Sequence, residues 1–472
     1  MLGAGPAGLT SAWTLARRGC PGTVLEADGT VGGIAKTIEF QGYRFDLGGH
    51  RFYTKLDPIR RLWEQMLGSE LLTRPRLSRI YYGNRFFNYP LRAEDVVRGL
   101  GLVESARCAM SFFYWRRRLR HLRPQTFEEW VVRRFGRRLY DAFFRSYTQK
   151  VWGIPGSEIR SEWAAQRIQE FSLWQAVLGI LGRRQHATTL IEEFLYPRLG
   201  PGQMWEAFRD WVEDHGIPVR LNQRCVRIRH DSGRVESVVV QTDGEQREYG
   251  VDAVLSSIAL RELIESLDPP APAEVQAAAE RLRYRNLCLV ALMTREAQPF
   301  PDNWIYIHDP RTQAGRVQNF GSWSPDMVRE GSTCLGVEYF CFDEDEIWRM
   351  SDSDAVELAT RDLATIGILD PDQVFNGVKV RVPKAYPMYD SRYREAVATI
   401  RGYLEHFENL RTFGRNGLHR YNNQDHSMWT AILATLNHTD GASHDVWSVN
   451  TRAEYLEEGP LAERLGDVDL VT

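Results

Sequence analysis

The sequence predicts an α/β fold: a parallel, doubly wound core at the N-terminus, interrupted by a helical and an antiparallel-sheet insertion. Three observations predict it. A Gly-rich turn, Gly3-Ala4-Gly5-Pro6-Ala7-Gly8, precedes a run of helical composition, Leu9–Arg18, which Gly19 closes as a C-cap. A short apolar run, Thr23-Val24-Leu25, then ends on an acid, Glu26, as a second parallel strand would. Strand-like patterning dominates residues 218–257 and 284–345, beyond a long aromatic- and Arg-rich stretch that reads as helix.

The length of 472 residues exceeds one compact core and implies two or three domain-sized units. A hydrophobic content of 43% and a charged content of 26% describe an ordinary globular chain. The formal net charge of −3 lacks the basic excess of a nucleic-acid binder. The six cysteines (Cys20, Cys108, Cys225, Cys288, Cys334 and Cys341) are scattered, with no C-x-x-C. Neither a metal site nor a disulfide framework is expected, and a reducing, cytoplasmic setting follows. No run approaches the roughly 18 apolar residues of a membrane span. The apolar stretch Leu287–Met293 reads as a buried strand, and no secretory signal opens the chain. A parallel βαβ unit needs a strand before its Gly-rich turn, yet only Met1 and Leu2 precede Gly3.

Along the chain, residues 101–150 read as helical. Residues 159–195 continue so, with Trp163, Ile168, Phe171, Trp174 and Leu178 at helical spacing. Strands are expected at Pro218–Leu221, Cys225–Ile228, Val235–Gln241, Ala253–Ser257 and Val378–Val382. Helices are expected over 352–367, 391–404 and from about Ser427. There is no internal repeat or low-complexity tract.

The turn has a definite physical logic. Gly3 permits a tight bend, Gly5 lets the backbone approach a pyrophosphate, and Gly8 allows close helix–strand packing. The helix opening at Pro6-Ala7 then offers free N–H groups and a positive dipole end to phosphate. Glu26 lies eighteen residues after Gly8, near the spacing of about 20 for the acid that binds a ribose 2′-OH. An acid there repels a 2′-phosphate, so FAD or NAD is favoured over NADP. Gly32-Gly33 lets a second backbone segment approach the cofactor. No second G-x-G-x-x-G occurs, which excludes a built-in NAD(P)H domain and favours FAD.

Several blocks then resemble the UDP-galactopyranose mutases, flavoenzymes related in fold to amine oxidases and protoporphyrinogen oxidases. They are Gly48-Gly49-His50-Arg51-Phe52, Phe86-Phe87-Asn88-Tyr89-Pro90-Leu91, Thr126–Trp130, Tyr140–Gly153, Tyr196-Pro197 with Gly200-Pro201-Gly202, Tyr386-Pro387, Gly414-Arg415 and Tyr421–Met428. The resemblance implies a Rossmann-like, glutathione-reductase-like FAD-binding domain. It divides the chain into a discontinuous FAD domain (1–80, 200–262 and 405–440), a mainly helical insertion (81–199), a β-rich substrate or cap domain (263–404) and a tail (441–472). It places Gly48, Gly49, Gly414, Arg415, Asp425, His426 and Ser427 beside the cofactor, and His50 near the flavin ring as the candidate catalytic side chain. Asn88, Tyr89, Tyr147, Trp152 and Tyr386 match substrate-facing positions, and Arg167 falls where the family carries phosphate-contacting arginines. The implied chemistry uses the N5 of a reduced flavin as nucleophile toward a nucleotide sugar, exchanging pyranose and furanose rings, with the flavin reduced by external NAD(P)H or a reductase. Two departures stand against galactopyranose itself. Residues 168–174 lack the second arginine of the mutases' mobile segment, and 419–424 lack their tyrosine-rich run. The alternative is an FAD-dependent oxidoreductase on the same scaffold: an amine or alcohol oxidase, dehydrogenase or desaturase.

Other constellations carry less. The arginines of 116–138, beside Phe112–Trp115, read as a solvated helical face, a diphosphate surface or an anionic-membrane contact. The run Asp343–Glu346 reads as a loop without metal, the histidines are isolated, and no G-x-S-x-G supports a hydrolase.

Overall fold

The computed structural model describes residues 1–89, 93–161 and 193–450. Its organising layer is parallel. Val24–Leu25 pairs with Val219–Arg220, and Val254–Ser256 pairs with Leu410–Thr412. Leu2 bridges both Leu25 and Ser256 and so joins the two pairs. Its N–H donates to the Leu255 carbonyl at 2.9 Å, and its carbonyl accepts from Ser257 N–H at 2.9 Å. Leu2 therefore stands where a parallel βαβ unit needs its first strand, held from both sides.

Helices Pro6–Arg17, Gly202–Asp214 and Gln424–Thr439 cover one face of this layer. Leu9, Trp13, Trp205, Phe208, Met428 and Ile432 fill the space between them. Ser11 and Thr435 share a buried hydroxyl contact of 2.8 Å where the first and last helices cross. The last helix is buried from Gln424 to Leu436 except at His426, which accounts for its lack of a polar stripe. It begins at Gln424, three residues before the expected Ser427, because Asn423 turns the extended chain into it. The other face carries a four-stranded sheet (Arg224–Asp231, Arg234–Thr242, Glu245–Gly250, Leu267–Asp268) and helices including Tyr393–Leu404.

A seven-stranded sheet forms the second body. Its order is Val374–Pro387, Tyr284–Thr294, Thr333–Cys341, Arg316–Asn319, Trp304–Ile307, Ser78–Tyr82, Arg85–Asn88. All neighbours are antiparallel except Trp304–Ile307 with Ser78–Tyr82. The strand Tyr284–Thr294 is buried at every position after Tyr284, so its apolar run does not alternate. Helix Asp352–Thr365 covers one face of this sheet, and an aromatic cluster fed by residues 127–152 covers the other.

One boundary differs from the expected division. The cut between 80 and 81 falls inside the strand Ser78–Tyr82, whose hairpin with Arg85–Asn88 belongs to the seven-stranded sheet. The pairing that recruits this hairpin, with Trp304–Ile307, is remote in sequence and leaves no local signal. Leu71–Pro75 likewise pairs with Glu193–Pro197. Between these ends run the helices Ala93–Leu100, Leu102–Arg118, Phe127–Phe135 and Arg145–Trp152. A capping box starts the third: Thr126 Oγ1 accepts Glu129 N–H at 3.2 Å, and Glu129 Oε2 accepts Thr126 N–H at 3.3 Å. The helical stretch expected around Trp163–Leu178 lies outside the described residues, as does the tail beyond 450.

A fully buried carboxyl ties the bodies together. Asp46 Oδ2 accepts the Tyr196 hydroxyl at 2.5 Å, and Oδ1 accepts Thr37 Oγ1 at 3.1 Å. Thr37 in turn receives the Gly202 N–H at 3.0 Å. Burial pushes the Asp46 pKa up from 3.8 to about 8, against the two hydrogen bonds that favour its anion. The folded chain thus keeps a proton that the unfolded chain releases, and this contribution to stability is lost as pH rises from about 4 through about 8. In Asp46→Asn the amide needs no proton. Its melting temperature is expected to fall less than that of the wild type over this window, which differential scanning calorimetry at a series of pH values checks.

Candidate flavin and substrate site

The Gly-rich turn is closed by contact, not only by flexibility. A Cβ on Gly8 would lie 1.8 Å from the Gly3 carbonyl oxygen, and one on Gly3 (φ +94°) 2.5 Å from Ser257 Oγ. Gly33 lies over the turn, since a Cβ there would sit 3.3 Å from Gly5 Cα. Gly32 N–H donates to the Ala4 carbonyl at 2.9 Å, which fixes this second segment. Pro6 occupies the first helical turn, and no side chain caps it. The result is a groove of bare backbone at a helix N-terminus, suited in shape and polarity to a pyrophosphate.

Glu26 follows the strand Val24–Leu25 and is not a free acceptor. Its Oε2 takes the Ala4 N–H at 2.6 Å and its Oε1 the Asp28 N–H at 2.8 Å. These bonds aim the carboxylate along the turn, and each oxygen retains a second lone pair for a hydroxyl.

The C-terminal segment forms the facing wall. Gly414 (φ +86°) passes so close to the first helix that a Cβ would lie 2.9 Å from Ala7 Cβ. Its N–H donates to Thr430 Oγ1 at 3.0 Å. Arg415 acts as a bracket. Nε and Nη2 donate to the Ala385 carbonyl at 3.1 and 2.7 Å, and Nη1 to the Asn422 carbonyl at 2.8 Å. The guanidinium lies 4.0 Å from the Tyr421 ring centroid and 5.3 Å from that of Tyr386. Asp425, His426 and Ser427 all lie in the first turn of the last helix, three positions deeper than a start at Ser427 implies. Asp425 is buried, and its Oδ1 accepts no hydrogen bond within the described residues, although His426 Nδ1 lies 3.2 Å away.

Beyond this wall an aromatic cluster surrounds one buried ion pair. Arg316 Nε and Nη2 contact Glu338 Oε2 at 2.8 and 2.5 Å, and Nη2 also donates to Tyr386 Oη at 3.0 Å. Gln318 Nε2 donates to Glu338 Oε1 at 2.6 Å. Burial, the largest single effect, works against the charge of Arg316, and the Glu338 carboxylate together with Tyr386, Tyr147 and Tyr306 outweighs it, holding the arginine pKa well above its ordinary value. Tyr147 and Tyr306 feel the same charge. Tyr147 stacks on His308 at 4.4 Å and meets Tyr306 edge-on at 5.7 Å. Tyr306 meets Tyr89 at 4.8 Å. Trp152 meets Tyr386 edge-on at 6.4 Å, and Tyr386 stacks on Tyr421 at 5.6 Å.

His50 sits at the junction of the two halves. A Cβ on Gly48 would lie 4.0 Å from His50 Nε2 and 3.9 Å from Glu338 Oε1. His50 Nε2 is 3.2 Å from the Leu47 carbonyl. Burial, aided by the charges of Arg415 and Arg316, lowers its pKa from 6.5 to about 4. At neutral pH it is an uncharged ring, unable to serve as a cationic acid.

The structure thus gathers Gly3, Gly5, Pro6, Ala7, Gly8, Glu26, Gly32 and Gly33 at one end. It gathers His50, Gly48, Tyr147, Trp152, Tyr386 and Arg415 at the other. Asn88 stands apart: it is exposed and donates to Asp95 Oδ2 at 3.0 Å on the following helix. Arg167 lies outside the described residues. Arg316, Glu338, Gln318, Tyr306 and His308 were not singled out by the sequence, and Tyr421 entered only within the block Tyr421–Met428. One signal was available: Glu338 is a lone acid inside the apolar strand Thr333–Cys341, and it is the register partner of Arg316.

These features define an FAD-binding α/β flavoenzyme. The family model for flavin-containing amine oxidoreductases matches residues 6–395, and the chain belongs to that family. Its cofactor is FAD, and it is an enzyme, either an isomerase or an oxidoreductase. The chain is 25% identical over 164 residues to a "Probable UDP-galactopyranose mutase" of Klebsiella pneumoniae, a match spanning 34% of this chain and 42% of that relative's length. Among solved structures, a reduced UDP-galactopyranose mutase superposes with a TM-score of 0.84 at 20% identity, covering 96% of both chains. A variant of putrescine oxidase superposes with a TM-score of 0.62 at 13% identity, covering 93% of this chain and 98% of its own.

Two variants test the cofactor end. Gly8→Ala drives a methyl group into the Gly3 carbonyl and is expected to purify folded but without flavin absorbance. Glu26→Arg removes the acceptor and adds a cation beside Ala4 N–H. Its FAD dissociation constant is expected to rise at least tenfold, measured by flavin fluorescence on titrating the apoprotein.

Proposed function

We propose that this enzyme isomerises the ring of a nucleotide-activated sugar or a closely related small molecule, with glutathione-reductase-like binding of FAD. The observation that carries the reading is Arg316: a half-buried, forked cation whose fully buried countercharge Glu338 is already in place, set among Tyr147, Tyr306, Trp152 and Tyr386. A guanidinium fixed through Nε and Nη2 is suited to a diphosphate, because its Nη1 donors are held in place without further ordering. Flat aromatic faces suit a sugar ring. An amine substrate, by contrast, needs an uncompensated carboxylate, and Glu338 is committed to Arg316 and Gln318.

Gly3–Gly8, Glu26, Gly32 and Gly33 would hold the adenosine diphosphate part of FAD. Gly48, Gly49, Gly414, Arg415 and the first turn at Asp425–Ser427 would flank the flavin. When bound and reduced, the flavin supplies a nucleophilic nitrogen, so no net oxidation is required. The chain's part is positional and electrostatic. Arg316 takes up the charge that develops on the departing diphosphate oxygen, and Glu338 keeps its fork aimed. Neutral His50 shapes the Gly48-Gly49 turn without adding a third charge beside Arg316 and Arg415. With no second dinucleotide motif in the chain, the reducing equivalents come from an external donor.

Purified holoenzyme incubated with a panel of nucleoside-diphosphate hexoses, with and without dithionite, tests the reading. Ring isomers separated by chromatography are expected only in the reduced samples. Turnover by the oxidised enzyme with consumption of oxygen or an added acceptor, and no ring isomer, would assign it to the oxidoreductases instead. Arg316→Lys keeps a charge beside Glu338 but loses the fork. It is expected to lower kcat/KM by about one to two orders of magnitude, the equivalent of one charge-assisted hydrogen bond of about 1.5–3 kcal/mol.

A further inference from the structure

The arginine-rich stretch around residues 107–138 is not one surface. Part of it is internal to the helical insertion. Arg138 Nε and Arg107 Nη1 pair with Glu104 at 2.6 and 3.4 Å. Arg137 pairs with Glu128 at 2.5 Å, and Arg133 Nη1 donates to the Leu122 carbonyl at 2.7 Å. These bonds hold Phe127–Phe135 and its neighbours against the helix Leu102–Arg118. The remainder stands outward at the C-terminal end of that helix, where Arg116, Arg117, Arg118, Arg120 and Arg123 are all exposed.

The same helix presents an unusual face. Only Cys108 and Phe112 are buried along its seventeen residues. Leu102 is 78% exposed, Val103 69%, Met110 64%, and Phe113 and Tyr114 57% each. Val103, Met110, Phe113, Tyr114 and Arg117 follow the helical repeat, so they form one stripe along a rod of about 25 Å. Leu122 extends it at 59% exposure. An apolar stripe of this extent marks an interaction surface.

The charge selects the partner. Glu104, the only acid in residues 102–123, is neutralised by Arg107 and Arg138. A second copy of this face would bury its arginines against an apolar stripe or against other arginines, with no carboxylate to receive them, at high cost. An anionic lipid surface meets both halves of the pattern: apolar side chains enter the acyl boundary while arginines at one end lie among phosphate headgroups. No helix among the described residues is long and apolar enough to cross a membrane, so the contact is peripheral.

We propose that the helix Leu102–Arg118 docks the enzyme onto the surface of a membrane rich in anionic lipid. The proposal does not depend on the reading of the flavin site. Its insertion adjoins that site, however, because the preceding helix packs on the hairpin that carries Tyr89. Arg85 Nη1 donates to the Gly99 carbonyl at 2.7 Å, and Asn88 to Asp95 at 3.0 Å.

Full-length holoenzyme is sedimented with vesicles of phosphatidylcholine alone or with added phosphatidylglycerol. It is expected to pellet with the anionic vesicles, and added salt is expected to release it. Each arginine near such a surface raises partitioning about fivefold, so replacing Arg117, Arg118 and Arg120 by glutamine lowers it on the order of a hundredfold. Met110→Glu with Phe113→Glu removes binding, while flavin content and turnover stay at wild-type values in both variants. For the unmutated enzyme, hydrogen exchange over 102–122 slows on anionic vesicles. Equal binding to both vesicle types, undiminished binding in the variants, or unchanged exchange overturns the proposal. A dimer in analytical ultracentrifugation that Phe113→Glu abolishes also overturns it and assigns the face to a second copy.

Discussion

The contact between Gly8 and the carbonyl of Gly3 constrains everything around it. A Cβ at Gly8 would lie 1.8 Å from that oxygen, so the helix after the turn is pressed onto the stub strand at Leu2. Three segments far apart in sequence then close on the same place: Gly33 against Gly5, Gly414 against Ala7, and Ser257 beside Gly3. Each approach works because a side chain is missing. Glycine at such positions costs about 0.5–1 kcal/mol apiece in backbone entropy relative to alanine. The return is close backbone packing that leaves the N–H groups of the turn uncovered.

The second half of the site follows a different logic. Arg316 and Glu338 are buried together, an arrangement that contributes little net stability because desolvation offsets the attraction. Its value is in direction. Glu338 and Tyr386 hold the guanidinium in one orientation. His50, close to two cations, stays neutral and adds no repulsion. The protein thereby fixes its positive charge in advance, as electrostatic preorganisation requires.

The dinucleotide turn was legible because its logic is local: Gly3, Gly5 and Gly8, and an acid at the end of the next strand. The apolar run Leu287–Met293 announced a central strand for the same reason. Pairings remote in sequence were not legible. Leu2 is too short to show any period, and only the strands on either side of it make it part of a sheet. The hairpin Ser78–Asn88 gives no sign that it joins a strand more than two hundred residues later. Arg316 reads alone as a surface residue, and Glu338 acquires meaning only through register. Asn88, expected to face substrate, gives its side-chain amide to Asp95 on the next helix. Arg415, expected beside the cofactor, spends its donors on the carbonyls of Ala385 and Asn422.

The parallel layer also has a consequence in time. Its strands come from Val24–Leu25, Val219–Arg220, Val254–Ser256 and Leu410–Thr412, and its last helix ends at Thr439. Closing it requires joining segments separated by nearly the whole chain, a slow step dominated by loop entropy. During synthesis the Gly-rich turn leaves the ribosome long before the wall at Gly414 and the helix from Gln424. Until that wall is made, the groove at the turn has no second side.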